Sequence, residues 1–316
     1  MIIIDKPFIE TIGDKTYLKS YIIDEFTGTH DFCYYFTGTK YGNYFTCEVA
    51  DAFVLALLLP ALQSNQDILV KAPVSEKLYY NLKHTVIYLL AKAFKYKEID
   101  IKVEKTIVLE TNSTGVGTGC SLGVDSFATM LSHTSQDCPE SYKLTHLTFF
   151  NVGSHGEKDF GKVRESYLKD LIVIKDFANE IKLPLVSAES NLSIFYSNYG
   201  FNFNQSHLIR NMSTVLSMQK LFKKYIYSSG FPVTWTHITD KDIAIMESIL
   251  QPLLSTDSTE LIVGEAKLFR SEKTRLISEY ELPRKHLYVC LKNLVINDKM
   301  NTVWFNHDTK FRNCGT

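Results

Sequence analysis

The sequence predicts an α/β protein: a doubly wound parallel sheet preceded by a smaller amino-terminal α+β unit. Three observations carry this. From about residue 105 onward, short apolar runs alternate with segments whose apolar residues recur every three or four positions, as strands separated by helices do. Before that point, aromatic-rich segments alternate apolar and polar residues around glycine-bearing turns, the pattern of antiparallel hairpins. Between strand-like and helix-like stretches lies one glycine-bearing turn, Gly117 to Ser126, at the kind of strand end where such sheets bind ligands.

The amino-terminal unit, residues 1–104, reads as follows. Tyr17 to Phe26 and Asp31 to Phe45 are antiparallel strands, with turns at Thr27-Gly28-Thr29 and within Gly38 to Asn43. A helix from about Glu48 to Ser64 precedes a short strand at Ile68 to Val70. Ser75 and Glu76 then open a second helix whose Leu78, Leu82, Val86, Leu89 and Leu90 share one face. Ile99 to Val103 returns as a strand. No catalytic constellation is visible here, so substrate or partner binding and plain structural packing are the two readings of this unit.

The second unit, residues 105–316, begins with strand Val116 to Cys120 and the glycine-bearing turn. Leu144 to Val152 is its second strand, ending in Gly153-Ser154-His155-Gly156. Arg164 to Ile181 is helical, Pro184 to Ser187 a third strand, and His207 to about Lys223 another helix. Tyr225 to Gly230 reads as a fourth strand with its tip, and Leu261 to Val263 as a fifth. The segments Ser121 to Ser126, Asn151 to Gly156 and Ser228 to Gly230 all fall at strand ends and should converge on one crevice.

Composition narrows the function classes. The 316 residues carry 34 basic and 35 acidic side chains, a net charge of −1, which argues against an extended nucleic-acid surface. Lys220, Lys223 and Lys224 form the one basic cluster, explained by a solvated helix face. The longest apolar run, Phe53 to Leu62, is about half a membrane span and contains Pro60. Six cysteines without a secreted spacing pattern point to a reducing cytoplasm.

The chemistry sits in the turn. A strand, a tight turn and a helix opening at Gly123 to Ser126 aim free backbone N–H groups and a positive helix end at one point, which suits an anion. Ser121 and Ser126 add hydroxyls, and Asp125 suits a Mg²⁺ ion shared with phosphate oxygens. An ordinary helix N-cap without a ligand is the plain alternative. On the helix from His207, a polar stripe of His207, Arg210, Asn211 and Thr214 could hold phosphate or a substrate carboxylate, with Arg210 the strongest candidate because a guanidinium grips phosphate in a fixed fork. A wet helix face would look the same.

The order Ser121-Leu122-Gly123-Val124-Asp125-Ser126 resembles the pyrophosphate-binding loop, Ser-Gly-Gly-x-Asp-Ser, of the PP-loop ATP pyrophosphatases. Leu122 departs from that pattern, standing where the family has its first glycine. Over roughly residues 105–316 the layout is similar to 7-cyano-7-deazaguanine synthase and its relatives, which have a HUP-like fold. The resemblance implies ATP held by Ser121, Gly123, Val124, Asp125, Ser126 and the strand tip Ser229-Gly230, with adenine against the backbone of Phe150, Asn151 and Val152. Leu268 to Ile277 resembles the family's lysine-containing helix start, so Lys273 would stabilise the leaving pyrophosphate. Asp125, Lys273 and Arg210 are thus the catalytic candidates, and ATP with Mg²⁺ the implied ligands.

The reaction so implied is adenylation of a carboxylate or carbonyl oxygen, followed by attack of ammonia or an amine. Protein partners or a homodimer fit equally with this reading; a membrane does not. A tRNA-modifying PP-loop enzyme and a nucleotide- or partner-binding protein impaired in catalysis are the alternatives, the latter suggested by Leu122 and by the absent carboxyl-terminal cysteine cluster. Sulfur-transferring relatives use a cysteine, for which Cys120 is the candidate here, though its place at a strand end favours a structural role. In the deazaguanine synthases a cysteine cluster near the carboxyl terminus holds zinc. Here only Cys290 and Cys314 occupy that region, with His286 and His307 nearby, and two thiolates cannot close a tetrahedral site, so no zinc is expected.

Overall fold

In the computed structural model, residues 1–156, 160–290 and 311–312 are described. The amino-terminal half comprises β1 (Ile2–Ile4), β2 (Phe8–Ile12), β3 (Lys15–Asp24), β4 (Thr29–Gly38), α1 (Thr39–Gly42), α2 (Asp51–Ser64), β5 (Ile68–Ser75), α3 (Glu76–Asn81), α4 (Ile87–Phe94) and β6 (Ile101–Ile107). A wider π-type turn, Leu82–Val86, links α3 to α4 into one continuous rod. The carboxyl-terminal half runs β7 (Gly115–Gly119), α5 (Val124–Thr134), β8 (His146–Asn151), α6 (Phe160–Glu180), β9 (Leu185–Ser190), α7 (Leu192–Ser197), α8 (Phe203–Leu216), β10 (Phe222–Ser228), α9 (Glu247–Leu253), β11 (Glu260–Gly264), α10 (Arg270–Ser278) and α11 (Glu281–His286). A small pair, β12 (Val289–Cys290) and β13 (Phe311–Arg312), follows.

One sheet of eleven strands runs through both halves in the order β11-β10-β7-β8-β9-β4-β3-β1-β5-β6, with β2 against β3. β9, β8, β7, β10 and β11 are mutually parallel, and the chain reverses its direction of travel across the sheet between β7 and β10. The arrangement is compatible with a doubly wound α/β fold, in which the crevice opens at the reversal point. β4 joins the two halves antiparallel to β9, through Tyr35 opposite Ser190 and Phe36 opposite Glu189. The division near residue 104 is therefore no break in the sheet.

The parallel strands pack a core on each face of the sheet. On one face Phe127, Met130, Leu147, Phe149, Tyr167 and Phe177 pack under α5, α6 and α10. On the other, Phe150, Val186, Leu208, Met212, Val215 and Tyr225 share a core with Phe53, Leu57 and Leu58 of α2. Gly117 is required on β7 because a Cβ there would stand 2.6 Å from the Phe222 ring.

α2 explains the long apolar run. Every residue from Asp51 to Leu62 is buried, so this helix is surrounded rather than amphipathic. Pro60 has no N–H to give the Ala56 carbonyl four residues earlier, and the Tyr196 hydroxyl donates to that carbonyl instead, at 2.8 Å. Asp51, fully buried, accepts the Ser75 backbone N–H at 2.8 Å and the Gln219 side-chain amide at 2.8 Å, while Gln219 accepts from Thr256 and Ser258, each at 2.6 Å. These bonds tie the two halves together beside the shared core.

Several expected boundaries move. The turn expected within Gly38 to Asn43 is the short helix α1, and the strand ends at Gly38 rather than Phe45. α8 ends at Leu216, and Phe222 to Ser228 is strand, because pairing with β7 and β11 overrides the helical spacing that continues to Lys223. Lys220 forms an ion pair with Glu48 at 2.6 Å. Among the described residues no helix is long and apolar enough to cross a membrane.

Candidate functional site

At the reversal point a cavity of about 250 Å³ opens beyond the carboxyl ends of β7, β8 and β10. Its lining joins Gly119 to Ser121, Asp125 and Ser126 from the β7–α5 turn, Phe150 and Ser154 from the second strand end, Asn211 and Phe203 from α8, and Tyr227 and Ser228 from β10. The three strand ends that the sequence marks thus meet in one crevice.

The turn is held by its own hydroxyls. Ser126 Oγ donates to the Gly119 carbonyl at 2.8 Å and accepts the Ser121 N–H at 3.4 Å, and Ser121 Oγ accepts the Gly123 N–H at 3.3 Å. The left-handed residue is Leu122, with φ +56°, whereas Gly123 is extended at φ −84°, ψ 172°. The close turn therefore falls at position 122, not at Gly123, whose backbone any residue can adopt. A left-handed leucine costs about 1–2 kcal/mol. Burying its side chain against the α5–α6 core contributes about 1.5–3 kcal/mol, so burial wins. The Leu122 carbonyl also accepts the Tyr288 N–H at 2.8 Å. α5 has no capping side chain at Gly123, which leaves first-turn N–H groups for a ligand.

Asp125 does not stand alone there. Lys273, wholly buried, reaches from α10 to donate to Asp125 Oδ1 at 3.2 Å and to the Ser229 carbonyl at 2.6 Å. Arg270, one turn earlier on α10, donates to Asp125 Oδ2 at 2.7 Å. The strand tip Ser229-Gly230 is thus a positioning element: Ser229 holds Lys273, and the Gly230 N–H is accepted by Glu247 at 3.1 Å. Burial, reinforced by the Asp242 and Asp125 charges and opposed by the Gly230 bond, pushes the Glu247 carboxyl up to about 8. Lys273 and Arg270 thus stand beside the uncapped helix end, with Asp125 and Asp242 as the carboxylates that offset them.

The other expected residues divide. Phe150 lines the cavity; the Asn151 side chain donates to Glu189 at 3.2 Å and Val152 is buried, neither of which bears on the backbone contact expected there. Arg210 is not on a wet face: its guanidinium lies wholly buried over the Tyr196 ring at 4.1 Å and donates to the Val152 carbonyl at 3.3 Å. It fixes the turn after β8 instead of lining the cavity. From the same stripe Asn211 does line it, while Thr214 is buried and His207 binds the Tyr227 hydroxyl at 3.0 Å. Cys120 lines the cavity and is buried. Cys314 and His307 lie outside the described residues, as does the side chain of Cys290; His286 is paired with Glu180 at 3.0 Å.

Two residues of the candidate site escape sequence reasoning. Arg270 sits three residues before Lys273, the spacing that puts both on one helix face, and this was a usable signal. Glu247 carried none, since only burial distinguishes it. A Mg²⁺ ion binds through one or two carboxylates and completes its shell with phosphate oxygens and water. Asp125 is the carboxylate that lines the cavity, but Lys273 and Arg270 engage both its oxygens, so it meets a metal only where one of these cations moves to a bound phosphate. Among the described residues no group of three metal-ligating side chains offers a closed cage. Compared with known proteins, the chain matches no family model, no curated protein and no solved structure.

Proposed function

We propose that this chain is an ATP pyrophosphatase of the PP-loop kind, with a HUP-like nucleotide-binding half, that adenylates a carboxylate or carbonyl oxygen. The observation carrying the reading is the meeting of the uncapped α5 end with buried Lys273 and with Arg270, on a cavity at the sheet's reversal point. The ATP phosphates would lie on the β7–α5 turn, and the base beside Phe150. Mg²⁺ held by Asp125 supplies charge neutralisation on the phosphate oxygens when bound. The substrate oxygen attacks the α-phosphorus, the bond to the bridging oxygen breaks, and pyrophosphate leaves with the electron pair. Lys273, already desolvated and anchored by Ser229, stabilises that charge without reorganising. An amine or ammonia then displaces AMP.

The test is conversion of ATP to AMP and pyrophosphate with Mg²⁺, screened over carboxylate acceptors. Asp125→Asn and Lys273→Met should each abolish it while ATP binding to the Lys273→Met protein weakens at least about tenfold. Turnover unchanged in both variants would remove the proposal. One observation favours a binding protein without turnover: both Asp125 oxygens are already engaged by cations. ATP binding with no AMP from any acceptor would select that reading.

A further inference from the structure

The turn after β8 carries a second constellation that nucleotide binding does not use. Ser154 lines the cavity, and its hydroxyl lies 3.0 Å from His155 Nδ1. His155 Nε2 lies 3.0 Å from Asp170 Oδ2 on α6, and imidazole and carboxylate are both buried. The carboxylate can only accept, so it selects the tautomer with the proton on Nε2. Nδ1 is then a lone pair facing the Ser154 hydroxyl. Phe149 and Tyr167 stand edge-on to the imidazole at 5.5 and 5.4 Å and hold its plane, and the Tyr288 hydroxyl lies 3.4 Å from Asp170 Oδ1.

The backbone is built to present this pair. Gly153 and Gly156 bracket it in a sharp turn, with φ of +121° and +125°, closed by a Gly156 N–H to Gly153 carbonyl bond of 3.2 Å. A Cβ on Gly153 would stand 2.4 Å from the buried Arg210 guanidinium and 3.0 Å from the Phe203 ring. The turn is therefore fixed in place at a strand end with the serine toward the cavity. Nucleophile, base and orienting carboxylate in hydrogen-bonded series constitute the geometry that activates a serine hydroxyl.

We propose that Ser154 is a nucleophile activated by His155 and oriented through Asp170, and that it takes acyl groups from activated acyl donors. Ser154 Oγ attacks the acyl carbon, its proton passes to His155 Nδ1, and the leaving group departs with the electron pair of the broken bond. The resulting imidazolium is balanced by the Asp170 carboxylate. The imidazolium passes that proton to the leaving group or to solvent, so the ring is neutral again. An amine or water then attacks the ester carbon, gives its proton to His155, and expels Ser154 Oγ, which recovers that proton from His155. That the donor is an acyl adenylate made in the same cavity, with AMP as the leaving group, rests on the adenylation reading above; the activated serine does not.

The test uses an alkyl fluorophosphonate, which needs no ATP. Attack by Ser154 forms a P–O bond, breaks the P–F bond and releases fluoride. Intact-mass measurement should show one adduct per chain, mapped by peptide sequencing to Ser154. Ser154→Ala, at a half-exposed position that perturbs packing little, should abolish the adduct. His155→Gln and Asp170→Asn should slow labelling at least about tenfold. A wild-type protein that stays unlabelled, or an adduct that persists in Ser154→Ala, would overturn the proposal. Labelling at Ser154 in a protein that makes no AMP would uphold it and discard only the adenylation reading.

Discussion

Leu122 shows how a residue can stand where backbone geometry asks for glycine. Its left-handed φ is unfavourable, and its buried side chain more than offsets that cost. An unusual order of variants follows. Leu122→Ala loses about 2–5 kcal/mol of packing and keeps the strain, whereas Leu122→Gly loses the same packing and relieves it. Urea titration should therefore find the alanine variant less stable than the glycine one, by about 1 kcal/mol. The opposite order would mean that the turn is not left-handed in solution. Asp125 is the counter-charge of a fully buried lysine as well as the candidate metal ligand. Asp125→Asn should then cost about 1.5–3 kcal/mol of stability, part of which Lys273→Met restores in a double-mutant cycle. Strict additivity of the two changes would show that the pair is not formed.

At the scale of elements, the β10 tip and α9 form a pH-sensitive joint. Glu247 is held neutral chiefly by burial, with its carboxyl raised from the ordinary glutamate value to about 8. Between those two values the folded protein holds a proton that the unfolded chain has released. Stability from this group is thus fully present below the unfolded value and is lost as pH rises toward 8. Glu247→Gln keeps an acceptor for the Gly230 N–H but has no charge to bury. Thermal melts should show the variant gaining on the wild type from about pH 5 to pH 9, by at least about 1 kcal/mol at the upper end. Parallel pH profiles for the two proteins would disprove a raised Glu247. Because Gly230 adjoins Ser229, which anchors Lys273, ionisation of Glu247 in the folded protein near pH 8 should also weaken nucleotide binding there.

On the whole-molecule scale, the two halves share one sheet and one core. Asn191 bridges them, accepting the Tyr34 N–H at 2.9 Å and donating to the Phe32 carbonyl at 2.7 Å, and Thr37 Oγ donates to the Ser187 carbonyl at 2.7 Å. Leu208, Met212 and Val215 of α8 pack in the same core as α2. Residues 105–316 expressed alone would expose that face, so the fragment should show no cooperative unfolding transition, while the full chain unfolds in one. A fragment with the full chain's near-ultraviolet circular dichroism would refute this. Asn191→Ala, leaving two backbone groups at the β4–β9 junction without their partner, should cost about 1–3 kcal/mol.

What the sequence determined by itself is periodic or local. The alternation of apolar runs with helical spacing marked the parallel strands and their helices, because a strand buried on both faces and a helix buried on one leave different repeats. The strand–turn–helix form of β7 and α5 was legible from glycines and hydroxyls set between an apolar run and helical spacing, and Lys273, singled out by resemblance, is placed by the structure against Asp125. Only the tertiary structure decided the rest. Arg210 and Thr214 had the spacing of a wet face, yet α2 and α7 cover that side of the helix, and periodicity cannot say what covers a polar stripe. Helical spacing ran on to Lys223, but strand pairing with β7 and β11 claims Phe222 onward. The continuity of the sheet through β4 and β9 joins residues about 150 positions apart, and no local pattern encodes such a pairing. Asp170 meets His155 and Glu247 meets Gly230 for the same reason: burial and convergence are properties of the packed chain.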